Sequence, residues 1–298
     1  MKRVLITGVN SFIGKNLTEY LEKYNTRVGK KLYQVTSISQ RNRDWLLYDF
    51  GDYDTILDVT GISKSDEGKL SAKQEKDYYE VNNGLACLTA EKAKKEGVKQ
   101  FIFLSSILVY GEPGRPEKIT KDTVPAPVNI YGKSKWMAEK KLQELSESQF
   151  QVGIVRLPFV YGPDVENGYK LLSKWAGKLP IIPTINAGKS MIYIENLCEF
   201  LRLLIDSEDG GIYFPQNATQ VSTGRLLEEI RAVQGRKTFK WKILNPGVKL
   251  LVSVPGRCGK LARKVFAGQA YDADMSVVLG DYQLVDFPES IRRTEEKK

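Results

Sequence analysis

Residues 3–16, RVLITGVNSFIGKN, constrain the fold more than any other stretch of the chain. A short apolar run stops at Gly8, and Gly14 follows where a helical pattern begins. A strand that turns on glycine into a helix opens a βα unit, and the GxxGxxG spacing collects backbone N–H groups and the positive end of the helix dipole at one point. That is a receptor for an anion, normally a pyrophosphate. Ser11 occupies the middle position, placing a side chain where the backbone is expected to approach phosphate and offering a hydroxyl donor in exchange.

Beyond this turn, short apolar runs alternate with helical patterns through the first half, which predicts βαβ units and a parallel sheet. Strands are expected at Arg3 to Thr7, Tyr33 to Ser39, Thr55 to Val59, Gln100 to Ser105 and Gln151 to Arg156. Helices are expected at Asn16 to Tyr24, Asp77 to Glu96 and Tyr131 to Leu145, where apolar residues recur at three- and four-residue intervals. The long loop containing Gly111, Pro113, Gly114, Pro116, Pro125 and Pro127 has the length of a functional connection. After Pro163 the alternation weakens. The expected architecture is therefore α/β: a Rossmann-type doubly wound parallel sheet over residues 1–163, then a smaller, mainly substrate-binding region over 164–298, parts of which can return to the sheet. Arg292 to Lys298 read as a frayed charged tail.

Composition removes several chemistries. With no histidine in 298 residues, Ser-His-Asp hydrolysis, Cys-His catalysis and HExxH zinc chemistry are excluded, and no metal site is expected. Cys87, Cys198 and Cys258 are far apart and odd in number, as in a reducing compartment. The apolar run after Met1 is too short for a signal peptide, and no stretch is long enough to span a bilayer, so a cytoplasmic location is expected. The net charge of +9 is regional: ten basic residues and no acid lie between Arg231 and Lys264, and the rest of the chain sums to −1.

What remains is chemistry by Tyr, Lys, Ser, carboxylates or a cofactor. Tyr131 and Lys135 stand four apart in YGKSK, so on a helix phenol and ammonium share a face. A phenol with a pKa near 10 is a poor base at neutral pH unless a cation stabilises its anion. Lys135 can supply that charge, and a serine at the end of the preceding strand, in FLSSILVYG, can orient a substrate oxygen. The YxxxK spacing alone recurs by chance in a lysine-rich chain; the order of glycine turn, serine strand, loop and Tyr/Lys helix is what points to a carbonyl/alcohol redox site.

Taken together, these motifs resemble an extended short-chain dehydrogenase/reductase of the nucleotide-sugar epimerase/dehydratase family. TGVNSFIG is similar to that family's TGxxGFIG, and LDVTG, VNNG, YGKSK, RLPFVYGP, MIYIENL and STGRLLEEI follow in the family's order. The resemblance implies cofactor contacts from Gly8, Ser11, Phe12, Ile13, Gly14, Val59, Thr60, Gly61, Asn82 and Pro158, with Asp49 and Phe50 flanking adenine. It implies hydride transfer between nicotinamide and a sugar carbon. Tyr131 would be the acid/base, Ser106 would hold the oxygen and Lys135 would lower the tyrosine pKa and contact the nicotinamide ribose. Ser106 is chosen over Ser105 because it lies four residues before Tyr110, as in the family's SxxVYG.

The end of the second strand reads SISQRNR, with Ser39 where NAD-preferring relatives carry an acid, and Arg41 beyond it, so the choice between NADP and NAD leans to NADP. Ile107 and Leu108 stand where the family's dehydratases carry an Asp-Glu pair, which leaves epimerisation through a 4-keto intermediate, or simple reduction or oxidation. Phe159 and Tyr193 replace the family's asparagine and histidine, so the sugar pocket differs from that of a standard UDP-galactose 4-epimerase. The substrate class implied is a nucleotide-sugar, with UDP favoured, its diphosphate drawn to Lys189, Arg225 or Arg257. A homodimer is compatible with the resemblance; no nucleic-acid motif is present. Two alternatives stay open. The interleaved cations and apolar residues of VKLLVSV and KLARKVF suit a peripheral membrane contact, although two helices burying their apolar faces are the plainer reading. A non-catalytic dinucleotide sensor or scaffold can also use this fold.

Overall fold

The protein, seen in a computed structural model, is described for residues 1–63, 70–115, 117–178, 180–275 and 279–296; the Arg257 side chain is outside the described residues. Six parallel strands form one sheet: β1 (Lys2–Thr7), β2 (Tyr33–Ile38), β3 (Thr55–Asp58), β4 (Gln100–Ser106), β5 (Gln151–Leu157) and β6 (Gly211–Tyr213). Their spatial order is β2-β1-β3-β4-β5-β6. The chain leaves β1 for β2 on one side and later returns to the other side at β3, so the switch point lies between β1 and β3. Ligands of open α/β sheets bind in the crevice outside the strand ends at such a point.

Side chains alternate between two cores. Val4 and Ile6 face one layer with Leu17 and Leu21 of α1 (Phe12–Val28), and Leu5 faces the other with Ile56, Phe101 and Phe103. That second layer is closed by α3 (Ala86–Lys95) and α4 (Ile130–Leu145), whose Ala86, Ala90, Ala93, Ala138 and Leu142 are buried, and α2 (Ala72–Tyr79) precedes them in the chain. Small residues let these helices approach the sheet closely. The segment expected as one helix from Asp77 to Glu96 is interrupted by a π-helical turn at Glu80–Leu85. The extra residue in the turn is accommodated where the Asn82 side chain bonds outside its own helix, at Ile62 and Ser134.

The remainder contains α5 (Gly168–Lys178), α6 (Ile194–Ser207), α7 (Thr223–Val233), α8 (Asn245–Ser253), α9 (Arg257–Phe266) and α10 (Phe287–Glu296). The charged end is not frayed through Glu296: Arg292 and Arg293 pair with Glu289 along α10, Arg292 also reaches Glu296, and Arg293 bonds Glu195 at 2.7 Å. Salt bridges at helical spacing, together with buried Phe287 and Ile291, hold a segment whose composition alone reads as solvated. No helix among the described residues is long and apolar enough to cross a membrane.

Candidate active site

At the switch point, Gly8 has a φ of +87°, and a Cβ there would meet Thr60 Oγ1 at 3.2 Å and Val59 at 3.3 Å. Glycine is needed both for the backbone angle and for the close approach to the end of β3. The Gly8 N–H donates to the Ile38 carbonyl, which ties the turn to the end of β2. Ser11 caps α1, its Oγ accepting from the Gly14 N–H at 3.3 Å. An accepting hydroxyl keeps its own proton to donate, so the side chain at the middle position serves the helix and leaves a donor at its N-terminus. Gly14 lies against Ile6 and Val59.

Ser39 is exposed, with its hydroxyl accepting from the Arg41 N–H; the Arg41 side chain is exposed and has no ion pair among the described residues. Farther along this edge, Asp49 is exposed and accepts from the Gly51 N–H. The Phe50 ring is wholly buried, stacked on Trp45 and beneath the Lys92 ammonium, and its N–H donates to Glu96. Of that pair only Asp49 presents a side chain to solvent.

Ser106 ends β4 and is buried, its Oγ accepting from the Leu108 N–H at the start of the 3-10 turn Ile107–Tyr110. Tyr131 is the second residue of α4, close enough to Ser106 for the serine hydroxyl to favour its phenolate. Burial raises the phenol to about 12 against the smaller downward pull of Ser106, so the lowering expected from Lys135 gives way to desolvation. Tyr131 is a neutral acid at ordinary pH. One residue on, Gly132 has Leu108 so close that a Cβ would strike its carbonyl oxygen; this glycine lets α4 begin directly beneath the serine turn.

Lys135, one turn along α4, is buried with its ammonium 4.3 Å from the centre of the Phe103 ring. A Cβ on Gly61 would stand 3.4 Å from that nitrogen and 3.1 Å from Asn82 Oδ1. Burial lowers Lys135 to about 8, while the charges of Asp58 and Glu139 pull it back up. Asn82 locks this corner: Oδ1 accepts from the Ile62 N–H, and Nδ2 donates to the Ile62 carbonyl and to Ser134. Thus Gly61, Asn82 and Lys135 meet, and Ser106 meets Tyr131. Ser105 serves the scaffold, donating to Glu139, which also holds Arg156 in a buried bidentate pair.

Asp58 is the member of LDVTG that sequence reasoning passed over. It is paired in register with Thr7 on one side and Phe103 on the other, so the three side chains stand on one face of the sheet, the face that Lys135 covers. Thr7 donates to its Oδ1 at 2.5 Å, and Thr60 Oγ1 lies 2.8 Å from Gln40 Oε1 and 3.1 Å from Thr7 Oγ1. Burial pushes this carboxyl up and Lys135 opposes it. An acid closing an otherwise apolar strand is the signal that could have drawn attention to it.

Pro158 is buried and Phe159 half-buried after β5, with Phe159 against Gly168. Tyr193 is buried beside Tyr161, its hydroxyl donating to Glu195. The three cations considered for a diphosphate differ. Lys189 is engaged with the carbonyls of Lys264 and Val265, and burial lowers it to about 8. Arg225 is paired with Glu228 and Glu229, and the Arg257 side chain is among those outside description.

Comparison with known proteins bears on the family and the fold. The profile of the NAD dependent epimerase/dehydratase family matches residues 4–213. A UDP-glucose 4-epimerase of Vibrio cholerae is 29% identical over 89% of this chain and 82% of its own length. An Escherichia coli O157:H7 N-acetyl-α-D-glucosaminyl-diphospho-ditrans,octacis-undecaprenol 4-epimerase is 27% identical over 78% of this chain and 73% of its own. Among solved structures, the UDP-glucuronic acid 4-epimerase of Bacillus cereus in complex with NAD superposes with a TM-score of 0.74 at 18% identity, covering 99% of this chain and 96% of that one. A human epimerase family protein with NADPH reaches 0.77 at 16% identity, covering 99% of both chains.

Proposed function

The chain belongs to the NAD dependent epimerase/dehydratase family, and from that premise we propose that it is a NAD(P)-dependent nucleotide-sugar 4-epimerase or 4-ketoreductase. A bound nicotinamide dinucleotide would supply the hydride donor and acceptor. The turn from Gly8 to Gly14, with Phe12 and Ile13, fits its diphosphate: it ends at the N-terminus of α1, where the Ser11 hydroxyl keeps a proton to donate. Val59, Thr60, Gly61, Asn82 and Pro158 would line the rest. Exposed Arg41, with no acid at the end of β2, favours NADP over NAD.

The observation that carries the reading is the adjacency of the Ser106 and Tyr131 hydroxyls at the start of α4, with Lys135 buried against Phe103 one helical turn along. Ser106 would hold the sugar oxygen. Tyr131, neutral at rest, would donate its proton as a carbonyl is reduced and recover it as an alcohol is oxidised. Lys135 would carry positive charge near the cofactor ribose. The sugar nucleotide favoured is a UDP-sugar, with Phe159 shaping the pocket beside it and the residues at 189, 225 and 257 competing for the diphosphate. Lys189 and Arg225 would have to leave their present partners to take that part.

A thermal-shift screen of NAD(H) and NADP(H), each crossed with UDP-, GDP- and dTDP-sugars, should identify the stabilising pair, and hydride turnover should follow with that pair. Tyr131→Phe should retain dinucleotide binding and lose about 10²- to 10⁴-fold in turnover. Near-wild-type turnover in this variant rejects the acid/base role, and stabilisation by dinucleotide without turnover on any sugar returns the chain to the sensor class.

A further inference from the structure

The basic block carries apolar side chains that the fold leaves in water. Among the described residues 20 large apolar side chains are exposed, and eight of them fall between Phe239 and Leu261, including Ile243 at 78%, Leu250 at 69% and Trp241 at 50%. No residue of α8 is buried. The expected packing of two helices onto the substrate region is therefore met only in part. α8 and α9 pack on each other: Gly259 sits so close to the Val254 carbonyl that no Cβ could be accommodated, and Arg263 donates to the Val252 and Val254 carbonyls. Among the described residues nothing covers the outer surface of this hairpin. Exposed apolar patches of this kind mark interaction surfaces.

We propose that this face, with Phe239, Trp241, Ile243, Leu250, Leu251 and Leu261 as its apolar residues, docks on the surface of an anionic lipid bilayer. The argument is charge complementarity joined to apolar chemistry. Lys242, Lys249 and Lys260 are exposed among these residues, and the sequence has no acid from 231 to 264. Glu228, from outside this block, pairs with Lys240. Lipid headgroups receive the ammonium groups while aromatic and aliphatic side chains enter the acyl boundary, and lysine stems let the charge stay at headgroup level. A nucleic acid would satisfy the cations and leave Ile243 and Leu250 in water. The contact is peripheral, since no described helix is long and apolar enough to span.

The face is coupled to the candidate site by chain and hydrogen bonds. Lys189 and Thr223 bond the Val265 carbonyl at the end of α9, and Gly268 then accepts from Gly114 in the loop that follows the Ser106 strand. Docking would hold that loop near the lipid. The surface chemistry stands independently of the redox reading, so either can fail without the other.

The test is sedimentation of the full chain with phosphatidylcholine vesicles, with and without phosphatidylglycerol. Binding is expected to require the anionic lipid and to fall at least about tenfold when salt is raised to about 1 M, where the Debye length is about 3 Å. The exposed double substitution Ile243→Asp and Leu250→Asp should reduce binding at least about tenfold with unchanged circular dichroism and melting temperature. No binding to anionic vesicles, or equal binding by the double variant, overturns the proposal. So does a dimer in ultracentrifugation that this substitution dissociates while vesicles are ignored, which would make the face a subunit interface. Retention of duplex DNA in place of vesicles also overturns it.

Discussion

At the scale of single residues, the arrangement turns on a buried carboxylate. Asp58 has one oxygen bonded to Thr7 and the other without a hydrogen-bond partner among the described residues. A buried, half-satisfied anion is costly unless a cation faces it. Lys135 is that cation, covering the neighbouring Phe103 ring. The sign of the coupling follows: burial lowers Lys135 to about 8, and the Asp58 charge resists the lowering. Asp58→Asn removes the resistance and keeps the shape, so Lys135 should lose its proton at a lower pH. The alkaline limb of kcat/KM should then move down by about one pH unit or more. An unchanged limb in the pH–rate profile of a folded variant would show that Asp58 does not hold the lysine charge. The placing of Tyr131 and Lys135 one turn apart on α4, and of Ser106 at the end of β4, was legible because it follows from spacing within one helix and one strand. For Asp58 the sequence offers only an acid at a strand end, and its surroundings come from Thr7 and Phe103 on neighbouring strands.

At the scale of elements, the active geometry depends on how closely α4 can approach the turn after β4. Gly132 makes that contact at the Leu108 carbonyl, while Asn129 caps the helix by accepting from the Gly132 N–H at 2.8 Å. Gly132→Ala would drive a methyl group into a backbone oxygen that cannot swing away. The helix start must lift, carrying Tyr131 away from Ser106. A loss of about 1–3 kcal/mol in stability is expected from such overpacking, together with a fall in kcat at unchanged cofactor affinity. Denaturant midpoints and single-turnover rates check the two parts separately; a variant matching the parent in both would show that the approach is not limiting. The five strands expected from apolar runs agree with β1 to β5 within a residue or so at each end, because buried parallel strands are written as continuous apolar runs. The π turn at Asn82 was not legible, since its cause is a bond to Ile62 across the fold. Nor was β6, only three residues long, which gains its place by pairing with β5.

At the scale of the whole molecule, the question is whether residues 1–163 and 164–298 are separable. One apolar core contains Leu17 of α1, Tyr161, Leu197 and Leu201 of α6, Ile230 of α7 and Ile291 of α10, so it runs across that boundary without a break. Polar bonds cross it too. Gln100 of β4 donates to the Leu204 and Asp209 carbonyls, Asn217 donates to the Tyr161 hydroxyl, and that hydroxyl lies 2.6 Å from Ser290 Oγ. Within the second half, Asn196 exchanges two 2.9 Å bonds with Val285, fastening the segment before α10 to α6. Removing residues after 163 would strip one face of the sheet and leave Gln100, 0% exposed in the whole chain, without its acceptors. Loss of one partner of a buried group costs its full desolvation, about 1–3 kcal/mol, in addition to the lost apolar burial. The intact chain should therefore unfold in a single calorimetric transition, with a ratio of van't Hoff to calorimetric enthalpy near about one. A fragment ending at Pro163 should lack near-ultraviolet dichroism and fail to bind either dinucleotide. Two resolved transitions, or a fragment that binds dinucleotide as the whole chain does, would mean instead that the glycine-turn half folds alone.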